Sequence, residues 1–237
     1  MPAEHGSFQL SSALRRPAAR PTRFVVLSQP RTGSSLLCGS IRWHPQILMQ
    51  GEILNHRYER PDLPGDAGAD RLRAALSVTT HAAVGCKLHA CQPDPGSEHW
   101  ESAWDALFAD PTIKVVHLAR QDTLAQLASW KIAEHLNRWG DQLDVRDRPV
   151  IRIDPSELVW FRRWNATAYR VRLSRLQRHP RLEVTYESLR DRWQETVGMV
   201  LRFLGVEPIP LDPCATRNET RPLDQVIVNY TELVGNH

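Results

Sequence analysis

The segment Phe24-Val25-Val26-Leu27-Ser28-Gln29-Pro30-Arg31-Thr32-Gly33-Ser34-Ser35-Leu36-Leu37 most narrows what this chain can fold into. Phe24 to Leu27 is an unbroken apolar run rich in β-branched and aromatic side chains, which predicts a buried strand. Pro30 ends it, because proline offers no ladder donor. Gly33 permits a tight turn, and Ser34-Ser35 opens a second apolar run that reads as a helix. A strand, a short polar loop with one glycine and a helix N-terminus make a site for a tetrahedral anion. The free N–H groups of the first helical turn and the positive end of the helix dipole both face it. Arg31 adds a fixed charge, and Thr32, Ser34 and Ser35 add hydroxyl donors. The loop is expected to hold a phosphate or sulfate donor, to which the rest of the chain brings an acceptor.

Further strands are expected at residues 46–50, 82–89, 113–118 and 182–186. Helices are expected between them. One follows the loop to Trp43 and stops at His44-Pro45, and another covers Arg71 to Ser77. Trp100, Trp104, Leu107 and Phe108 recur at helical spacing on a third. Asp122 caps Thr123 to Leu136, Pro155 opens a long helix to about Arg178, and Ser188 caps a last one that Gly205 closes. Alternating strands and helices predict an α/β three-layer sandwich with a mainly parallel central sheet, entered through a P-loop-like strand-loop-helix. Residues 1–21 read as a disordered leader. Residues 22–237 read as one domain, with a lid at 137–154.

Ligands of such sheets gather at the carboxyl ends of the strands. Arg31, His89, Arg120 and Tyr186 each lie at or just after such an end. In the strand of residues 82–89, alternation puts Lys87, His89 and Cys91 on one face and Cys86, Leu88 and Ala90 on the other. A lysine and a histidine side by side at a strand end fit either a reaction site or a solvated sheet edge.

Composition narrows the chemistry. With 237 residues, 24% charged and 41% hydrophobic, the chain is an ordinary globular protein with material for a large core. The net charge of +3 is mild, and of the 30 basic residues only Lys87, Lys114 and Lys131 are lysines. That balance suits anion binding and does not point to nucleic acid. Cys38, Cys86, Cys91 and Cys214 form no C-x-x-C pair and read as reduced thiols. Cys86, His89 and Cys91 lack a fourth ligand at a recognisable spacing, so no metal is expected. No apolar run approaches a membrane span, and a cytoplasmic protein is expected. A Walker A loop needs GxxxxGK[ST], which this loop lacks; nucleotide-phosphate cleavage with magnesium is therefore disfavoured.

Pro30 to Leu37 resembles the 5′-phosphosulfate loop of the PAPS-dependent sulfotransferases, where a lysine or arginine occupies the position of Arg31. Val115-Val116-His117-Leu118-Ala119-Arg120-Gln121-Asp122 with Ala125-Gln126-Leu127-Ala128-Ser129-Trp130 resembles their 3′-phosphate segment. Thr185-Tyr186-Glu187-Ser188-Leu189 resembles the segment whose tyrosine lies near the adenine. Residues 217–230 resemble the C-terminal part of the bacterial carbohydrate-type enzymes, including the trehalose sulfotransferase group. The resemblance implies PAPS as co-substrate and PAP as product, with no metal required. It implies that Arg31, Thr32, Gly33, Ser34 and Ser35 hold the 5′ end. Arg120, Ser129, Arg217 and Arg221 then hold the 3′-phosphate, and Tyr186 lies at the base. Arg120 and Ser129 are nine residues apart, where the cytosolic small-molecule enzymes usually have eight. The glycine-rich C-terminal phosphate segment of those enzymes is absent, and Arg217 and Arg221 are expected to substitute for it.

Sulfuryl transfer moves a compact anionic group in line between two oxygens, so positioning and charge stabilisation dominate. Arg31 and Lys87 are the expected charge stabilisers. Two general bases stay open at this point. Lys87-Leu88-His89 matches the Lys-x-His of the cytosolic enzymes, and Gly51-Glu52 resembles the glutamate position of the trehalose-type and heparan-type ones. The C-terminal resemblance favours Glu52 with His89 assisting. The expected acceptor is a hydroxyl of a small molecule, glycan or glycolipid. Trp43, Tyr58, Trp130 and Trp139 are candidate stacking surfaces or ordinary packing, and a homodimer is one arrangement left open. The competing functions are a nucleotide-dependent phosphotransferase and a catalytically silent nucleotide-binding protein on the same fold.

Overall fold

The computed structural model describes residues 20–55, 68–93, 98–137, 139, 149–214 and 221–235. Five strands, β1 (Thr22–Ser28), β2 (Ile47–Glu52), β3 (Ala83–His89), β4 (Lys114–Ala119) and β5 (Arg181–Thr185), form one sheet in the order β2-β3-β1-β4-β5. Every pairing is parallel. β1 is central, with Val26 opposite Lys87 on one side and Val116 on the other. Its core is fully buried because helices cover both faces, as a parallel sheet requires. Phe24 and Val26 pack with Leu37 and Ile41 of α1 (Ser34–Ile41) and a helical face further along the chain (Val197, Val200, Leu201, Leu204). Val25 and Leu27 pack with α2 (Gly68–Leu76) and with Trp104 and Leu107 of α3 (Ser102–Ala109). Each fully buried Val, Leu or Phe side chain contributes about 1.5–3 kcal/mol.

The helix starts follow their caps. Asp122 accepts from the Ala125 N–H at 2.8 Å and starts α4 (Thr123–His135). Asp154 and Glu157 form a capping box ahead of Pro155, opening α5 (Pro155–Arg175), which stops three residues short of the expected end. The expectation for the last long helix needs correction. Thr185, not Ser188, is the cap, and Ser188 is its partner three residues in. The chain then turns at Arg192, giving α6 (Tyr186–Asp191) and α7 (Trp193–Leu204). Gly205, with φ of 78°, ends α7 as expected.

The C-terminal segment folds back over α4 and α5. In it, α8 (Leu223–Val226) and α9 (Tyr230–Val234) join Leu127, Ile132, Leu158 and Phe161 in a third apolar cluster. Residues 149–154, within the expected lid, are pinned. Ile151 donates to the Val226 carbonyl at 2.8 Å, Val228 donates to the Ile151 carbonyl at 2.9 Å, and Asn229 bonds both backbone groups of Ile153. Residues 138 and 140–148 of that lid and residues 1–19 of the expected leader lie outside the described residues. So do Tyr58 and Arg217.

Candidate active site

Chain connections from β1 run to the β2–β3 side and those from β3 cross to the β4–β5 side, so the carboxyl end of β1 is the topological switch point. The loop from Gln29 to Gly33 leaves the sheet there. Gly33 is the N-cap of α1 with φ of 85°, and Arg31 also adopts positive φ, at 65°. A Cβ on Gly33 would lie 2.8 Å from the Tyr186 ring, so the residue supplies both the left-handed turn and the closeness of that ring. Gly33→Ala is expected to cost about 1–2 kcal/mol from backbone strain alone, before the ring is displaced. Thermal unfolding measures this, and an unchanged melting temperature would show that loop and ring relax freely.

A cleft of about 1040 Å³ opens above the loop. Arg31, Gly33, Ser34, Ser35, Arg120, Ser129, Tyr186 and Arg221 all line it, so the structure brings these expected residues together. The Arg31 Nε donates to Ser129 Oγ at 3.0 Å and its Nη1 to the Trp139 carbonyl at 2.8 Å. Arg120 lies over the Tyr186 ring, 4.3 Å from its centroid, and its Nη1 donates to the Arg31 carbonyl at 3.3 Å. Burial, and after it the neighbouring Arg120 charge, lower the Arg31 pKa from its ordinary value. Two guanidinium groups that repel each other at one cleft wall favour an anion between them. Thr32 differs from expectation. It is fully buried and its hydroxyl donates to the Gln29 carbonyl at 2.7 Å, so the side chain is turned away from the cleft to close the loop.

Beside the cleft lies a buried charged cluster. β3 is an interior strand, so the solvated-edge reading of its end does not hold: Lys87 is 6% and His89 7% exposed. One carboxylate oxygen of Glu52, on β2, pairs with Lys87 Nζ at 2.6 Å and His89 Nε2 at 3.0 Å. The other accepts from the Asn55 amide. Lys87 also donates to Ser35 Oγ at 3.2 Å, which ties the cluster to the anion loop. His89 Nδ1 lies 3.0 Å from Ser28 Oγ, so both ring nitrogens are engaged. Burial depresses the His89 pKa, with the Glu52 hydrogen bond opposing, and the neutral ring then donates from Nε2 to the carboxylate. Burial alone would raise Glu52, but the hydrogen bond from His89 and the charge and hydrogen bond of Lys87 win, holding the carboxyl well below the usual carboxylate range. Glu52, Lys87 and His89 are therefore brought together, as a cluster joined through Lys87 to Ser35, which lines the cleft.

Sequence reasoning passed over Gln126, buried on α4, whose Nε2 donates to the Pro30 carbonyl at 2.8 Å. A polar residue set between Leu124, Leu127 and Ala128 on the apolar face of a helix was the available signal. It also passed over the Leu189, Trp193 and Pro213 walls of the cleft, which come from segments that only tertiary packing brings near. Of the aromatic candidates, Trp43 is 76% exposed, while Trp130 makes edge contacts with Trp139, Phe161 and Trp164. Among the described residues no cluster of His, Cys, Asp and Glu could hold a metal ion, and no helix is long and apolar enough to cross a membrane.

No family model matches the chain. Nodulation protein H of Rhizobium meliloti strain 1021 is 30% identical over 227 residues, covering 90% of each chain. Nodulation protein H of Rhizobium tropici is 30% identical over 229 residues, covering 90% of this chain and 88% of its own. Among solved structures, a sulfotransferase from Alicyclobacillus acidocaldarius matches with a TM-score of 0.52 at 17% identity, over 92% of this chain and 97% of that one. That likeness is one of fold.

Proposed function

We propose, from the premise that this chain belongs to the PAPS-dependent sulfotransferase superfamily together with the Nodulation protein H sequences, that Glu52 is the base that readies the acceptor hydroxyl. The enzyme acts on a hydroxyl-bearing acceptor, and we take that acceptor to be a carbohydrate or a small molecule. PAPS supplies the sulfuryl group and leaves as PAP. The side chains present fit such a donor: Arg31, Arg120, Ser129 and Arg221 line the cleft together with the N-terminal residues of α1. On this reading Arg31 and the loop N–H groups take up charge developing on the leaving phosphate. Arg120, Ser129 and Arg221 hold the 3′-phosphate, with Arg217 as a further candidate, and Tyr186 flanks the adenine. Lys87 neutralises the sulfuryl oxygens. Glu52 takes the proton, and His89 holds the carboxylate in place by donating from Nε2.

The observation that carries this reading is Lys87. It is ion-paired to Glu52 at 2.6 Å and donates to Ser35 of the anion loop at 3.2 Å, joining the two halves of the reaction. A low basicity does not disqualify Glu52, since its role is to accept a proton from a hydroxyl already losing it as the bond to sulfur forms. Its depressed pKa has a measurable consequence. With the carboxylate ionised throughout, kcat for sulfuryl transfer should stay level from about pH 8 to about pH 5. A loss of kcat with falling pH, setting in below the ordinary histidine value of about 6.5 because burial lowers the His89 pKa, would assign the proton to His89 instead. PAP should bind in EDTA. Binding of ATP that requires magnesium points to a phosphotransferase, and tight PAP binding without transfer to any hydroxyl acceptor points to a silent nucleotide-binding protein.

A further inference from the structure

We propose that Gln126 and Asn165 form a buried amide relay that sets the shape of the anion loop and so positions the donor, without either residue touching it. The proposal rests on the reading of that loop as the donor's 5′ site. For backbone N–H groups to converge on an anion, the intervening carbonyls must point elsewhere and find donors. In this loop three successive carbonyls are each held by a different side chain. Gln29 O accepts from Thr32 Oγ1 at 2.7 Å, Pro30 O from Gln126 Nε2 at 2.8 Å, and Arg31 O from Arg120 Nη1 at 3.3 Å. Thr32 belongs to the loop and Arg120 lines the cleft. Gln126 does neither, and is 1% exposed.

Gln126 is itself oriented from behind. Asn165 Nδ2 donates to Gln126 Oε1 at 3.0 Å. The Pro30 carbonyl can only accept, so Gln126 must present its NH₂ there and its oxygen to Asn165; flipping either amide sets like against like. Asn165 is the one polar member of the buried face of α5, beside Leu158 and Phe161, where an apolar residue would cost less to bury. The arrangement also carries register. Gln126 and Ser129 sit three apart on α4, so the helix that bonds the loop's Pro30 carbonyl also holds the serine that contacts Arg31.

The test is PAP binding by calorimetry and donor kinetics, on variants shown to be folded by circular dichroism. Gln126→Met, similar in length and without a donor, should weaken PAP binding about tenfold and raise the KM for PAPS, with the acceptor KM unmoved. Asn165→Ala should weaken PAP binding about threefold by freeing the amide to rotate. Asn165→Asp should weaken it more, because its carboxylate draws the Gln126 NH₂ away from Pro30. Should that buried charge prevent folding, the other two variants still decide. The double variant Gln126→Met with Asn165→Ala should bind no more weakly than Gln126→Met alone, since both act on one carbonyl. A merely structural role predicts additive losses and an equal effect on both substrates. Wild-type PAP affinity in folded Gln126→Met, or additive losses in the double variant, overturns the relay and leaves the donor reading standing. A wild-type protein that does not bind PAP overturns both.

Discussion

Glu52→Gln is expected to lower kcat by a factor of about 10² to 10⁴, the usual worth of a positioned general base, while PAP binding stays within a few-fold of wild type. The amide keeps one oxygen for Lys87 and His89 but cannot accept the acceptor's proton. The substitution also leaves the 6% exposed Lys87 without its counter-ion, so a stability loss of about 3 kcal/mol should accompany it. The sign of its pH dependence follows from the depressed Glu52 pKa. Stability from the ionised carboxylate is fully present above the unfolded glutamate value of about 4.3. It is lost as pH falls toward the lower folded value, so wild type and variant converge in acid. Steady-state kinetics beside thermal unfolding separate the two effects. His89→Asn should cost about tenfold in kcat, as loss of one orienting hydrogen bond would. A Glu52→Gln enzyme that keeps more than a tenth of wild-type turnover, with His89→Asn the poorer of the two, reverses the roles.

Arg120→Ala should raise the Kd for PAP by about two orders of magnitude. Charge-assisted hydrogen bonds to a phosphate contribute about 1.5–3 kcal/mol, and a guanidinium makes two. The side chain has further duties: it lies 4.3 Å from the Tyr186 ring centroid and donates to the Arg31 carbonyl. Arg120→Lys should therefore recover only part of the loss, since an ammonium restores charge but neither the fork nor the stack. The remaining deficit should persist in high salt, where the charge contribution is screened. Calorimetry at two salt concentrations reads both. Retention of wild-type affinity in Arg120→Ala would move the 3′-phosphate away from this end of the cleft.

The sequence disclosed the strands and the loop well because their signals are local. Phe24 to Leu27, Pro30 and Gly33 each constrain their own backbone, and Asp122 and Pro155 announce helix starts from adjacent residues. The convergence of Arg31, Arg120 and Tyr186 was legible too, since a parallel sheet puts the strand ends on one edge. What stayed hidden depends on which of several available partners a polar side chain takes. Thr32 reads as an anion ligand until its hydroxyl is seen to serve Gln29, only three residues back. Ser188 looks like a cap because its partner Thr185 carries the same chemistry. The fate of Glu52 was the hardest to anticipate. Burial by itself predicts a raised pKa, and only the placement of Lys87 and His89 on the neighbouring strand reverses it.

The central place of β1 also governs how the protein is made. Its hydrogen-bond partners are β3, with Ser28 opposite His89, and β4, with Ser28 opposite Leu118. Both neighbours are synthesised well after it, so the most apolar strand leaves the ribosome first and waits with both edges unpaired. At about 5–20 residues per second that wait lasts several seconds, long enough for chaperones to act on it. The sheet is thus dominated by long-range closures, the class of topology that folds slowly. Substitutions that weaken Phe24 to Leu27 would consequently lower the yield of soluble enzyme in cells as well as the stability of what folds.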